Sequence, residues 1–169
     1  IHHPAAAAIP SGPRARPRAI AIDPPATTAA DVKAELPTMY ELPARENEWI
    51  EKMLEYNTKG GKMTRGLMVV ESAALLFKAR GLKVDNETMC KFAVLGWCIE
   101  WLQACFLVAD DVMDSSVTRR GQPCWYKCPH VKMVAINDSF LLESFIYTIL
   151  QIHFGGEEYY GSCLLYTSP

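Results

Sequence analysis

The sequence predicts an all-α chain. Three observations carry that expectation. Four stretches place apolar residues three and four apart, the spacing of a helix face. One of them, running to about Asp114, is apolar nearly all round, the pattern of a helix buried inside a larger bundle. No run alternates apolar and polar residues with the period of two that a half-buried strand shows.

Residues 1 to 30 hold six prolines and ten alanines with no periodicity. Such composition buries no core and reads as disordered extension. Arg14, Arg16 and Arg18 precede the first acid, Asp23, as in a mitochondrial transit segment, but the prolines argue against the amphipathic helix such a segment forms. Residues 1–43 are therefore expected to be an extension or a targeting segment. From Ala44 the pattern changes. Glu46 to Tyr56 reads as a helix with Trp49, Ile50, Met53 and Leu54 on its apolar face, broken by Lys59-Gly60-Gly61. Met63 to Ala79 reads as a second helix with a stripe of Leu67, Val70, Ala74 and Phe77, ended by Gly81. Asp85 or Asn86 caps a third helix running to about Asp114. Ser115 to Pro129 is a loop, marked by Gly121, Pro123 and Pro129. A fourth helix starts near Ile136, with Asn137 or Asp138 as its cap, and ends at Gly155-Gly156.

The chain has 169 residues, a net charge of −2 and half its residues apolar, which suits one globular unit and gives no basic excess for nucleic acid. Phe92 to Ala109 is the most apolar run, but Glu100 and Gln103 interrupt it, so no transmembrane span is expected. Six cysteines are scattered, and without a secretory signal they do not read as a disulfide framework. Cys124, Cys128 and His130 resemble half a zinc site, yet no second ligand pair follows at a usual spacing.

The chemistry concentrates in Gln103 to Asp114. At 3.6 residues per turn Gln103, Leu107, Asp110 and Asp114 fall on one stripe, and Asp111 lies about 100° round from Asp110. Carboxylates ~6 Å apart repel by roughly 3 kcal/mol at an effective dielectric of ~20. They also sit at the end of the helix whose macrodipole is already negative. Mg²⁺ would reverse that balance, since it takes oxygen from one or two carboxylates and completes its shell with water and phosphate. The alternative is a solvated acidic helix end. In Gly60-Gly61-Lys62-Met63-Thr64-Arg65-Gly66, Lys62 and Arg65 put cations at a helix start, where the dipole disfavours them unless an anion binds. The alternative there is a flexible break before a surface helix. Arg119-Arg120-Gly121 adds two guanidiniums suited to bidentate phosphate contact. Together the segments suggest two anionic groups in one cavity, one bound through metal and one directly.

Lys59-Gly60-Gly61-Lys62-Met-Thr-Arg65-Gly66, Leu102-Gln103-Ala, Leu107-Val-Ala-Asp110-Asp111-Val-Met-Asp114, Thr118-Arg119-Arg120-Gly121-Gln-Pro-Cys-Trp-Tyr and Ala135-Ile-Asn-Asp138 closely resemble the eukaryotic farnesyl diphosphate synthases, over about Glu46 to Tyr160. The resemblance implies a helical bundle around a deep central cavity, incomplete in this chain, and a homodimer when complete. It implies an Mg²⁺-dependent prenyltransferase condensing isopentenyl diphosphate with dimethylallyl or geranyl diphosphate. It makes Asp110, Asp111 and Asp114 the metal-binding catalytic motif, with Asp110 and Asp114 the direct ligands. It makes Arg119 the catalytic contact to the allylic diphosphate, and Lys62, Arg65, Gln103 and Arg120 the contacts to isopentenyl diphosphate. Phe106 and Cys105, four and five residues before Asp110, fall where paired aromatics set product length in the animal and fungal enzymes. Cys105 is the departure, so a geranylgeranyl product is the alternative. The implied compartment is the cytoplasm, or the mitochondrion if the first 43 residues are a transit peptide. The family's second aspartate-rich motif is not present after Asp114, and Gly161 to Pro169 does not follow the family's helical continuation. Residues 44–160 thus read as the first part of a synthase domain and 161–169 as a non-native tail. The 169 residues alone are expected to be catalytically silent, at most a diphosphate-binding or dimerising module.

Overall fold

The computed structural model describes residues 41–167. Residues 1–40, nearly all of the expected extension, and 168–169, the end of the expected tail, lie outside the described residues. Among the described residues five helices run in order: α1 Ala44–Thr58, α2 Thr64–Ala79, α3 Asn86–Met113, α4 Val134–Phe154 and α5 Tyr160–Thr167. Between α3 and α4 lie two short strands, β1 Thr118–Arg119 and β2 Gln122–Pro123, and a 3₁₀ turn at Trp125–Lys127. Helix α3 is packed between α2 and α4, with α1 also lying against it.

The apolar face expected on α1 is the buried one: Ile50, Met53 and Leu54 are at most 7% exposed. Helix α2 ends as expected. Gly81 takes a left-handed φ of 66°, and Leu82 N–H reaches back to Phe77 O at 2.9 Å, which satisfies a carbonyl the helix would otherwise orphan. Helix α3 starts where predicted, with Thr88 N–H donating to the Asp85 carboxylate at 2.7 Å. Trp101, Leu142 and Ile149 fill the α3–α4 contact and are no more than 1% exposed, each burial contributing about 1.5–3 kcal/mol.

Four expectations are corrected. On α2, Leu67 is 56% exposed and Ala74 is exposed; the face toward α3 runs through Gly66, Val70, Ala73 and Phe77. The reason is steric. A Cβ on Gly96 would lie 2.6 Å from Gly66 O, so the two helices touch backbone to backbone at this pair. Helix α3 is not buried all round: Ile99, Phe106 and Met113 are exposed. With Asp110 they form one open stripe at helical spacing. Helix α4 begins at Val134 with no side-chain cap, and Asp138 lies inside it, 1% exposed. Residues 160–167 are helical rather than a departure from helix, and Cys163 N–H donates to Tyr159 O at 3.0 Å.

By length and composition α3 is apolar enough to cross a membrane, although half of its most apolar window is buried against the rest of the fold. The expectation of no such span rested on Glu100 and Gln103, and both are at least partly buried within the bundle face of that helix. Among the described residues the six cysteines form no disulfide.

Candidate active site

The segment after α3 reads in sequence as a loop. It is a two-residue hairpin, with Thr118 opposite Pro123 and Arg119 opposite Gln122. Arg120 and Gly121 both have positive φ, 54° and 80°, as a type I′ turn requires. Glycine does this freely. Arginine there costs of order 1 kcal/mol and persists only where its surroundings hold it. They do: Arg120 Nη1 donates to Lys59 O at 3.0 Å. A Cβ on Gly61 would lie 3.1 Å from Arg120 Cζ, so glycine suits both the φ of 93° and the guanidinium's close approach. This bond joins the Gly-Gly-Lys and Arg-Arg-Gly segments, 61 residues apart in sequence, and Lys59, Gly60, Gly61 and Arg120 line one hollow. Tyr56, from the last turn of α1, adds a third anchor by donating to Pro123 O at 2.7 Å.

At the end of α3 the three aspartates separate. Asp110 and Asp114 are exposed, while Asp111 points inward and is 3% exposed. Arg119 Nε donates to both Asp111 oxygens, at 2.9 and 3.2 Å, and Nη2 donates to Oδ1. Arg119 Nη2 also lies 3.5 Å from Asp110 Oδ2. The Asp111 bonds, then the charges of Asp111 and Asp110, hold the Arg119 pKa above its usual value. Asp111, expected among the metal-binding carboxylates, is therefore occupied by Arg119. The physical reason is the 100° rotation between neighbours on a helix, which turns it into the core. Arg119 is 34% exposed and its Nη1 is not used in these contacts. Among the described residues, no group of three or more Asp, Glu, His or Cys side chains is arranged to hold a metal ion. What faces outward is a pair, Asp110 and Asp114, one turn apart. Two exposed carboxylates suit a hard cation that takes one or two protein oxygens and leaves the rest of its shell to phosphate and water.

The cationic end is built on α2. Gly66 N–H, in the first turn, donates to Glu100 Oε1 on α3 at 2.9 Å. This bond seats the start of α2, with Lys62 and Arg65 both exposed, over the part of α3 one turn before Gln103. Gln103 is partly buried. A hollow of about 510 Å³ is lined by residues that include Lys52, Lys59, Gly60, Gly61, Arg120 and Gln122; of the four expected isopentenyl diphosphate contacts it takes in Arg120 and not Lys62, Arg65 or Gln103. A pocket of about 20 Å³, room for one water, is lined by residues that include Asp111, Arg119, Arg120 and Trp125. Burial pushes the nearby Cys124 thiol up to about 11, helped by its hydrogen bond to Asp111. Burial, followed by the hydrogen bond and charge of Cys128, pushes the Tyr56 phenol up to about 12.

Phe106 lies one turn before Asp110 on the open stripe and is 61% exposed. Cys105 does not share that stripe. It is 6% exposed, and burial followed by the charge of Glu143 on α4 raises its pKa. Three contributors to the site are not legible in the sequence: Glu100, Tyr56 and Trp125. Their partners are 34, 67 and 13 residues away, so no local spacing marks them.

A family model described as Polyprenyl synthetase matches residues 47–164. The farnesyl pyrophosphate synthase of Saccharomyces cerevisiae is 54% identical over 121 residues, which cover 72% of this chain and 34% of the yeast protein. The farnesyl diphosphate synthase of Dictyostelium discoideum is 48% identical over 141 residues, covering 79% and 36%. Among solved structures, T. brucei farnesyl diphosphate synthase superposes with a TM-score of 0.74 at 35% identity, covering 82% of this chain and 40% of the other. The same enzyme complexed with risedronate gives a TM-score of 0.72 at 34% identity. The chain spans about a third of the length of the curated relatives it matches. The chain belongs to the polyprenyl synthetase family.

Proposed function

We propose that this chain supplies the isopentenyl diphosphate cradle and the first metal-binding wall of a farnesyl diphosphate synthase. The observation that carries the reading is the Arg120–Lys59 bond, which joins the two cationic motifs within reach of the aspartate end of α3. Lys62, Arg65, Gln103 and Arg120 hold the isopentenyl diphosphate. Asp110 and Asp114 hold Mg²⁺, which when bound neutralises charge on the allylic diphosphate. Arg119, oriented by Asp111, turns Nη1 toward that diphosphate as its C–O bond breaks and negative charge gathers on oxygen. The isopentenyl double bond attacks the allylic carbocation to form the new C–C bond, and a proton is lost from the adduct. Phe106, one turn below Asp110, stops the tail at farnesyl length, whereas Cys105 is core packing against α4. Residues 1–43 serve as an extension or targeting segment for a cytoplasmic or mitochondrial enzyme, and the complete enzyme is a homodimer.

A second reading is favoured by one observation. Leu67, Leu75 and Leu76 on α2, Phe106 and Met113 on α3, and Phe140 on α4 are each more than half exposed. So much apolar surface suits a chain that needs further helices to complete its cavity. The 169 residues alone are then silent. Labelled isopentenyl diphosphate with geranyl diphosphate and Mg²⁺ tests both readings. We expect farnesyl product from the chain joined to the remaining two thirds of the fold and none from the chain alone. No product from the completed enzyme overturns the first reading, and turnover by the chain alone overturns the second.

A further inference from the structure

We propose that Asp138 is a positioning residue for the Arg119–Arg120 hairpin, acting through Trp125. Its carboxylate is 1% exposed and sits in the second turn of α4. Oδ2 accepts the Trp125 indole N–H at 2.7 Å, and Oδ1 accepts the Trp49 indole N–H at 2.9 Å. Among the described residues Asp138 has no ion pair. A buried carboxylate held by neutral donors alone is costly, and an apolar side chain would fill the same space more cheaply. Burial raises the carboxyl pKa while the two indole bonds oppose it. The position therefore calls for a reason beyond packing, and the reason is what the carboxylate grips.

Trp125 opens the 3₁₀ turn two residues after Pro123, the last residue of β2. Its ring lies against Tyr56, centroids 4.9 Å apart, and against Trp49 at 6.0 Å. Tyr56 in turn donates to Pro123 O. Tyr126 beside it donates to Ser116 O at 2.8 Å, and Cys124 N–H donates to Val117 O at 3.0 Å. The turn thus clasps both ends of the hairpin, and Asp138 anchors the turn to α4. The route from Asp138 to Arg119 is Trp125, then β2, then the β1 partner. Trp49 offers a built-in comparison. It takes the other oxygen of the same carboxylate but belongs to α1, and its indole N–H bonds no residue of the hairpin. If the carboxylate only held the core together, losing either indole donor would affect the hairpin equally.

The inference on ligand affinity rests on the diphosphate reading of Arg119 and Arg120; the inference on hairpin order does not. Trp125→Phe and Trp49→Phe each keep an aromatic ring and remove one indole donor, so both should lower the melting temperature. Hydrogen exchange and calorimetry with inorganic pyrophosphate and Mg²⁺ then separate them. Trp125→Phe should speed amide exchange at residues 118–123 and weaken pyrophosphate binding by about tenfold, the usual effect of losing a group that orients a ligand contact. Trp49→Phe should leave both near wild type at matched stability. Equal exchange at 118–123 in the two variants, or unchanged exchange in Trp125→Phe, overturns the proposal. If the unmodified chain binds no pyrophosphate, the diphosphate reading fails, and the exchange comparison still decides the role of Asp138.

Discussion

Replacing Arg119 by alanine should strand the Asp111 carboxylate in the wall of the bundle. The pair is close, with Nε 2.9 Å from Oδ1 and 3.2 Å from Oδ2. Asp111 is 3% exposed, so water reaches it poorly once the guanidinium is gone. Removing one partner of a fully buried pair costs about 3–5 kcal/mol. Arg119 is itself 34% exposed, and the gap it leaves admits solvent, so the expected loss is smaller, about 2 kcal/mol. For a domain of this size that lowers Tm by roughly 5–10 °C. Asp111→Asn removes the charge that needs a partner and should cost about 1.5 kcal/mol as a lost charged hydrogen bond. Adding it to Arg119→Ala should cost almost nothing further, which gives a coupling energy of at least ~1 kcal/mol. Urea denaturation of the four variants, with m values compared, measures that coupling. Additive effects within ~0.5 kcal/mol would refute the claim that Asp111 exists to hold Arg119.

Gly96→Ala should push α2 from α3, because the new Cβ would meet Gly66 O at 2.6 Å. The expected cost is about 1–3 kcal/mol in thermal denaturation, and an unchanged melt would refute the backbone contact. Thiol labelling in mild alkali should modify exposed Cys90 and Cys163 first and spare Cys98 and Cys124, which burial pushes up to about 12 and about 11. Cys98 reacting alongside Cys90 would contradict the burial. The Thr88 hydrogen bonds hold the Asp85 carboxyl below its usual pKa, so its contribution is present above the unfolded carboxylate pKa and is lost as pH falls through the lowered folded value. Asp85→Ala should therefore flatten the acid limb of the stability curve while its effect vanishes at low pH; a pH-independent difference would refute the cap.

The helices were legible because apolar periodicity reports burial directly, as at Ile50, Met53 and Leu54. Where burial depends on small residues the signal fails. Gly66 carries no hydrophobic weight, yet it and Gly96 set the crossing of α2 on α3 and turn Leu67 outward. The hairpin was invisible because strands of two residues have no period; the Arg120-Gly121 pair was its single trace. The three aspartates look equivalent in sequence, and the split between Asp111 and its neighbours comes from which side of α3 the bundle covers. Asp138 reads as a helix cap because acids favour helix starts, while its partners Trp49 and Trp125 lie 89 and 13 residues away. The motifs that identify the family were plain, since phosphate and metal chemistry demands particular side chains in short order.

The central claim is that Asp110 and Asp114 form the metal wall of a diphosphate site. Calorimetry of inorganic pyrophosphate with and without Mg²⁺ tests it most directly, on the chain and on Asp110→Ala. The account predicts that each ligand strengthens the other by about tenfold or more, a coupling above ~1 kcal/mol, and that Asp110→Ala abolishes it. Coupling of the same size in Asp110→Ala would place the metal elsewhere and contradict the account.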